Sequence, residues 1–333
     1  HSLWTEYGEG ENSKFTYQMI GYEDISILNK VRVCQNEYWM YERGNCLKQC
    51  MELNPLEESR TEKSKRLKQD GIYLVFGGTG GIGQITVQYL LDHTDGTVIA
   101  VGRSEQNKTM QSLSDRYGNR IDYRKADIGN VAGIRELREQ ILTQYGSING
   151  IIHSAGLNRD GSFLAKGLED FRSVLQVKVQ GCLNLEDVFG QDQLDFMLLY
   201  TSVAAYYGSA GQADYCLANR FMEAYANDRN QRVKTGKAYG ETLFIAWPVW
   251  KSTGMKTPKA IQRRIYQKYG MLPIEKSQGI AILDCVLQGQ EESSGYVYGE
   301  HIKAPEMKMK PKTVYTQKAG YASLKDNVFF YIK

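Results

Sequence analysis

The chain has 333 residues, 42% of them apolar, enough to bury a sizeable core in one large α/β domain or in two domains, and this excludes disorder as a global description. Lys plus Arg (41) nearly balances Asp plus Glu (38), and the formal charge of +3 excludes the strong basic excess of a nucleic-acid binder. No apolar run reaches the ~18 residues of a membrane helix and the first residues lack the order of a signal peptide, so no membrane partner and a cytoplasmic location are expected.

Residues 1–50 contain short strand-like pieces rich in Tyr and β-branched residues, such as 25–28 and 30–34. From Met51 the chain turns highly charged through Glu57 to Arg66, which reads as a solvated linker or an exposed helix, with a boundary near Asp70. Beyond it, apolar runs at 72–76, 97–101, 148–153, 196–200, 243–249 and 296–298 alternate with helix-period stretches. That rhythm predicts an α/β fold, a doubly wound parallel sheet with helices on both faces. Residues 301–333 are lysine-rich with little periodicity until Val328-Phe329-Phe330-Tyr331-Ile332, a candidate closing strand in an extension or linker. The six cysteines are scattered and read as free thiols; no metal site is expected, and four histidines do not readily assemble a Ser-His-Asp triad.

Directly after the first buried run stands Gly77-Gly78-Thr79-Gly80-Gly81-Ile82-Gly83, followed by a helix-like stretch from Ile85. Glycines there permit a tight turn and close approach to a pyrophosphate, and a helix amino terminus offers unpaired N–H donors. The next run ends in Val101-Gly102-Arg103, where a dinucleotide fold that prefers NAD places an acid for the ribose 2′-OH. Arg103 instead suits the 2′-phosphate of NADPH, the alternative being a solvated strand-end arginine. Asp127, at the end of a third strand, either accepts a hydrogen bond from adenine or forms a turn.

Phe171, Val174, Leu175, Lys178, Cys182 and Leu185 share one helical stripe, so Lys178 interrupts an apolar face. Its stem either snorkels outward or its charge serves a site. Tyr215 and Asn219 stack four residues apart on a second helix, and Ser202 sits beyond the 196–200 strand, at the edge where open α/β sheets hold ligands.

With these residues in view the chain resembles the short-chain dehydrogenase/reductase superfamily, and most closely the ketoreductase domain of modular polyketide synthases. The resemblance rests on the glycine loop, His153-Ser154-Ala155-Gly156, Val177-Lys178-Val179-Gln180-Gly181, Thr201-Ser202, Gly211-Gln212-Ala213-Asp214-Tyr215-Cys216-Leu217-Ala218-Asn219 and Trp247-Pro248-Val249-Trp250, which occur in the family's order. Most superfamily members carry Lys four residues after the Tyr; here Asn219 holds that place and the lysine comes earlier, as in polyketide ketoreductases.

The resemblance implies that residues 71–300 form a Rossmann-like catalytic unit, that 1–70 form a smaller, truncated Rossmann-like structural subdomain, and that 301–333 are a carboxyl-terminal extension. It implies NADPH-dependent reduction of a ketoacyl thioester, a β-ketoacyl group first of all, carried on an acyl carrier protein within a longer synthase polypeptide, of the type lacking built-in acyltransferases. Tyr215 would donate the proton, Lys178 would lower the phenol's pKa and hold the nicotinamide ribose, Ser202 would bond the carbonyl oxygen, and Asn219 would order the lysine or a relay water. The loop 77–83, Arg103, Asp127, Ile128, Ser154, Ala155 and Gly156 would contact the cofactor. His153 is expected to pack, and the segment between Trp250 and Pro273 to form a lid. Stereochemical signals are mixed: Asp160 keeps the final acid of the B-type pattern, while Tyr207 stands where the A-type has Trp, with the lean toward B-type and a D-configured alcohol. The rival readings are a free-standing reductase of a small diffusible ketone and a non-catalytic cofactor-binding relic.

Overall fold

The computed structural model describes residues 66–162, 165–207, 209, 211–251, 259–269 and 272–288, together with short strands outside those ranges. Four of these, β1 (Leu3–Thr5), β2 (Thr16–Ile20), β3 (Trp39–Glu42) and β4 (Asn45–Lys48), form a sheet in the order β1-β2-β3-β4. The strands expected at 25–28 and 30–34 lie outside the described residues.

The larger sheet takes β5 (Met51–Asn54), β6 (Ile72–Phe76), β7 (Thr97–Gly102), β8 (Ile121–Lys125), β9 (Gly150–His153), β10 (Phe196–Ser202), β11 (Glu241–Trp247), β12 (Gly295–Gly299) and β13 (Val328–Ile332). Their spatial order is β5-β13-β12-β11-β10-β9-β6-β7-β8. From β12 to β8 every pairing is parallel; β13, the carboxyl-terminal strand, runs antiparallel between β12 and β5. The six runs predicted after Asp70 all form strands, with no end shifted by more than two residues.

Residues alternate between two buried layers, which is why these strands read as continuous apolar runs rather than alternating ones. Tyr73 and Val75 of β6 pack with Val87 and Leu90 of α1 (Gly81–His93) and with Leu283 and Val286, whereas Leu74 and Phe76 face Ile134, Ile141 and Phe189. The first layer is completed by α2 (Lys108–Tyr117). The second is built on α3 (Val131–Tyr145), then α4 (Leu168–Leu175) and α5 (Gly181–Phe189), joined by a π-helical turn, Gln176–Gln180. After β10 come the short α6 (Ala204–Tyr207) and the long α7 (Ala213–Lys234); after β11 come α8 (Lys259–Tyr269) and α9 (Lys276–Gln288). No described helix is long and apolar enough to cross a membrane.

One feature departs from the sequence expectations. The charged run read as a solvated linker ends in Arg66, which is buried and donates to Glu241 Oε2 at 2.8 Å and to the Val286 carbonyl at 3.0 Å, so packing onto the sheet begins ahead of Asp70. The two ends of the 250–273 segment meet: Trp250 pairs with Ile274 in a parallel bridge, Lys251 N donates to Ile274 O, and Ile274 N donates to Val249 O.

Arg229 of α7 is fully buried and donates to the carbonyls of Tyr239 and Gly240 and to Thr242 Oγ1, with Glu186 3.2 Å from its Nε. Removing it leaves the two carbonyls without this donor and takes from Glu186 one of its two arginines, Arg232 being the other, so Arg229→Met is expected to lower unfolding free energy by about 3–5 kcal/mol. The check is a denaturant titration, in which the midpoint falls while the slope stays unchanged; a loss below about 1 kcal/mol would contradict the account.

Candidate active site

Sheet order reverses beside β6, whose neighbours are β7 and β9, and the crevice beyond the carboxyl ends of such strands is where this topology admits a ligand. There the chain leaves β6 through Gly77, which adopts φ +81° and donates to Val101 O at 2.8 Å; a Cβ on it would lie 2.6 Å from Ala155 N. Gly83, one turn into α1, packs so closely that a Cβ would sit 2.0 Å from Gly77 O. Both positions therefore need glycine for the protein's own backbone contacts, before any ligand is considered. Gly80 caps α1 without a side-chain hydrogen bond and the first turn holds no acid, so no side chain of the helix compensates the partial positive charge of its amino terminus.

At the end of β7, Arg103 is exposed and makes no hydrogen bond or ion pair among the described residues. With Arg124, Lys125, Asp127 and Asn130 it lines a cavity of about 550 Å³. Asp127 Oδ1 accepts from Gly129 N at 2.9 Å, so of the two readings of this residue the turn is present. Ile128 is buried and its carbonyl accepts from Asn184 Nδ2 at 2.8 Å.

Past β9, Ser154 Oγ donates to Phe76 O at 2.8 Å, which seats Ser154-Ala155-Gly156 against the glycine loop. His153 is fully buried with Nε2 3.2 Å from Val177 O, and burial pulls its pKa down to about 3. A ring held neutral throughout the physiological range packs and does not shuttle protons.

Lys178 sits in the π-helical turn and is 3% exposed, so its stem does not snorkel. Its Nζ donates to Tyr200 O at 2.8 Å, lies 3.6 Å from Met222 Sδ, and stands 5.7 Å from the centroid of the Tyr215 ring. Burial lowers its pKa to about 8, with Glu223 and Cys182 acting in the opposite sense. Tyr215, two residues into α7, has its phenol pKa raised by burial, against hydrogen bonding from Ser202 and Asn219. The sequence led us to expect a lowered phenol; desolvation outweighs the favourable groups, and the same burial weakens the ammonium meant to help.

Ser202 ends β10, where its Oγ accepts from Ala204 N at 3.2 Å. Asn219 Nδ2 donates to the Tyr215 carbonyl one turn earlier at 2.7 Å, while its Oδ1 is buried without a partner among the described residues. Asp160 accepts from Gln212 Nε2 at 2.7 Å, ahead of Tyr215. Tyr207 ends α6, and its side chain lies outside the described residues. Gln262 and Ile265 of α8 share a small apolar recess with Val203 and Pro248, which sets the expected lid segment beside the end of β10.

Sequence reasoning missed three buried charges near this cluster. Glu223, one turn beyond Asn219, accepts from Thr201 Oγ1 at 3.1 Å and from Arg220 at 2.5 Å. Lys166 and Asp214 pair at 2.6 Å. Asp214 stands inside a quoted motif, yet nothing in the spacing links it to Lys166, 48 residues away.

Comparison with known proteins converges on one family. The KR domain model matches residues 71–252. Polyketide synthase PksN of Bacillus subtilis is 32% identical over 87% of this chain, and polyketide synthase PksL of the same organism 33% over 83%. The chain spans only 5% and 6% of those two proteins. A solved ketoreductase domain from the bacillaene assembly line is 30% identical with a TM-score of 0.66, over 76% of this chain and 60% of that one. A short-chain dehydrogenase from Streptomyces avermitilis, 15% identical with a TM-score of 0.58 over 69% of this chain and 88% of its own, shares the fold. With a family model covering more than half its length and synthase relatives matching most of it, the chain belongs to the KR domain family, the ketoreductase domains of polyketide synthases.

Proposed function

We propose that this domain reduces the keto group of a β-ketoacyl thioester carried on an acyl carrier protein to the hydroxyacyl thioester, using NADPH, as one part of a longer cytoplasmic synthase. The observation that carries the reading is the buried ammonium of Lys178 beside the ring of Tyr215, at the carboxyl edge of the sheet. The small share of each synthase relative that the chain spans supports neighbouring domains in one polypeptide.

The residues at the strand ends fit a phosphorylated dinucleotide. The glycine loop carries few side chains and is drawn tight against its own backbone, the α1 terminus lacks a side-chain cap, and Arg103 is free among the described residues in a cavity it shares with Arg124 and Lys125. Arg103 would hold the 2′-phosphate, the loop 77–83 the pyrophosphate, and Asp127 and Ile128 the adenine side. Ser154, Ala155, Gly156 and Lys178 would line the nicotinamide end. When bound, the dinucleotide supplies the hydride equivalent that the carbonyl carbon receives.

Tyr215 is the proton donor. A phenol with a raised pKa stays fully protonated at neutral pH, which suits donation to an alkoxide developing on the substrate. As the proton leaves, the neighbouring ammonium of Lys178 stabilises the phenolate electrostatically. Ser202 directs the carbonyl oxygen toward the phenol, and Asn219, its Oδ1 unpartnered, orders the polar groups behind Lys178. Asp160, held by Gln212, keeps the B-type acid beside this site, and we extend the reading to a D-configured alcohol.

Three outcomes are expected. Tyr215→Phe should lower kcat for a short 3-ketoacyl thioester by about 10³-fold while NADPH affinity, read by fluorescence titration, changes less than about twofold; unchanged turnover removes Tyr215 from the mechanism. Arg103→Ala should weaken NADPH binding by roughly 10- to 100-fold and leave NADH binding alone; equal losses for both would assign the arginine elsewhere. Because Lys178 carries its proton below about 8 and loses it above, kcat/KM against the dinucleotide should fall as pH rises through about 8. A flat profile between roughly pH 6 and 9 would contradict that role.

A further inference from the structure

Among the described ion pairs, Lys166–Asp214 is the one in which both side chains are almost wholly withdrawn from solvent, at 5% and 1% exposure. Lys166 Nζ lies 2.6 Å from each carboxylate oxygen and 3.4 Å from the Gly211 carbonyl. Around it runs a seam: Gly161 N donates to Gly211 O at 3.0 Å, and Gln212 Nε2 donates to Asp160 at 2.7 Å. Gly211 has φ +82°, and a Cβ on it would come 3.3 Å from Gly161 O, so the two backbones touch. Tyr215 N donates to Asp214 Oδ1 at 2.9 Å. One carboxylate therefore holds both the lysine of the 160–166 loop and the backbone of Tyr215.

Stability alone does not account for the pair. Desolvating two charges costs several kcal/mol each, and an apolar pair of similar volume is often equally stable or better. What a bidentate buried contact adds is a fixed geometry between two segments that share no secondary structure. We propose that Lys166–Asp214 is a positioning pair: it fixes the loop bearing Asp160 against the first turn of α7, so that the surface on which a ketone rests and the phenol of Tyr215 keep one mutual orientation, and this orientation selects the ketone face that is reduced. The proposal rests on Tyr215 being the proton donor.

The test compares the enantiomer ratio of the alcohol made from a short 3-ketoacyl thioester and NADPH, since a ratio is independent of how much protein is folded. Lys166→Met is expected to lower the ratio at least about fivefold, equivalent to ~1 kcal/mol between the two transition states, and to lower kcat per folded molecule by about tenfold. NADPH affinity should stay within about twofold, and Lys166→Arg, which keeps the positive charge and can donate to both oxygens of Asp214, should restore the ratio at least in part. A folded Lys166→Met protein with the wild-type ratio overturns the proposal. Should Lys166→Met not fold, the double variant Lys166→Met/Asp214→Asn leaves no unpaired charge; a wild-type ratio there overturns it, and failure of both variants to fold does so too, by making the pair a determinant of folding. Tyr215→Phe in parallel separates the two claims: retained turnover sinks the proton-donor assignment, whereas lost turnover with an unaltered Lys166→Met ratio sinks only the positioning role.

Discussion

An ammonium held away from water needs oxygen or sulfur partners on several sides, and much of the local architecture answers that need for Lys178. The β10 strand brings the Tyr200 carbonyl, α7 brings Met222 and the ring of Tyr215, and the buried carboxylate of Glu223 adds a compensating charge. The partners come from β10 and α7 while the lysine itself comes from the turn between α4 and α5, so the cluster forms only once the sheet, the α4–α5 helical rod and α7 have docked. The π-helical turn matters in the same way: its wider winding at Gln176–Gln180 sets Lys178 and Val177 inward together and turns the Val177 carbonyl to His153.

The crevice itself follows from topology. β7 and β9 flank β6 in parallel, with Phe76 in register with both Val101 and His153, so the loops after all three strands open on one edge. The glycine loop, Arg103 and Ser154 are neighbours there although they are distant in sequence. The loop glycines are demanded first by packing against Ala155 and against the loop's own carbonyl. A backbone drawn that tight leaves its outer face clear of side chains, which is the property a pyrophosphate requires.

The sheet was legible because strands covered on both faces must be apolar at successive positions, and 72–76, 97–101 and 196–200 are. The glycine loop was legible because strand, turn and helix are contiguous. The direction taken by Lys178 was not: a stripe of apolar positions shows that a lysine interrupts it, whereas the carbonyl that captures the amine belongs to a strand 22 residues on. The same limit applies to Lys166 and Asp214, 48 residues apart. The phenol of Tyr215 marks a different failure. Counting nearby charged groups predicted a lowered pKa, and the count omitted desolvation, which acts on lysine and tyrosine alike.

The bridge between Trp250 and Ile274 has a consequence for how such domains diversify. The two residues tie the ends of the intervening segment side by side, with Trp250 wedged against Gly279 of α9 as an anchor. Closing a loop on a fixed base costs little more as the loop lengthens, roughly 0.6 kcal/mol per doubling. A segment tied at its base can therefore change length at little cost to the sheet beneath it, which lets selection reshape what lies beside a site without reopening the problem of folding it.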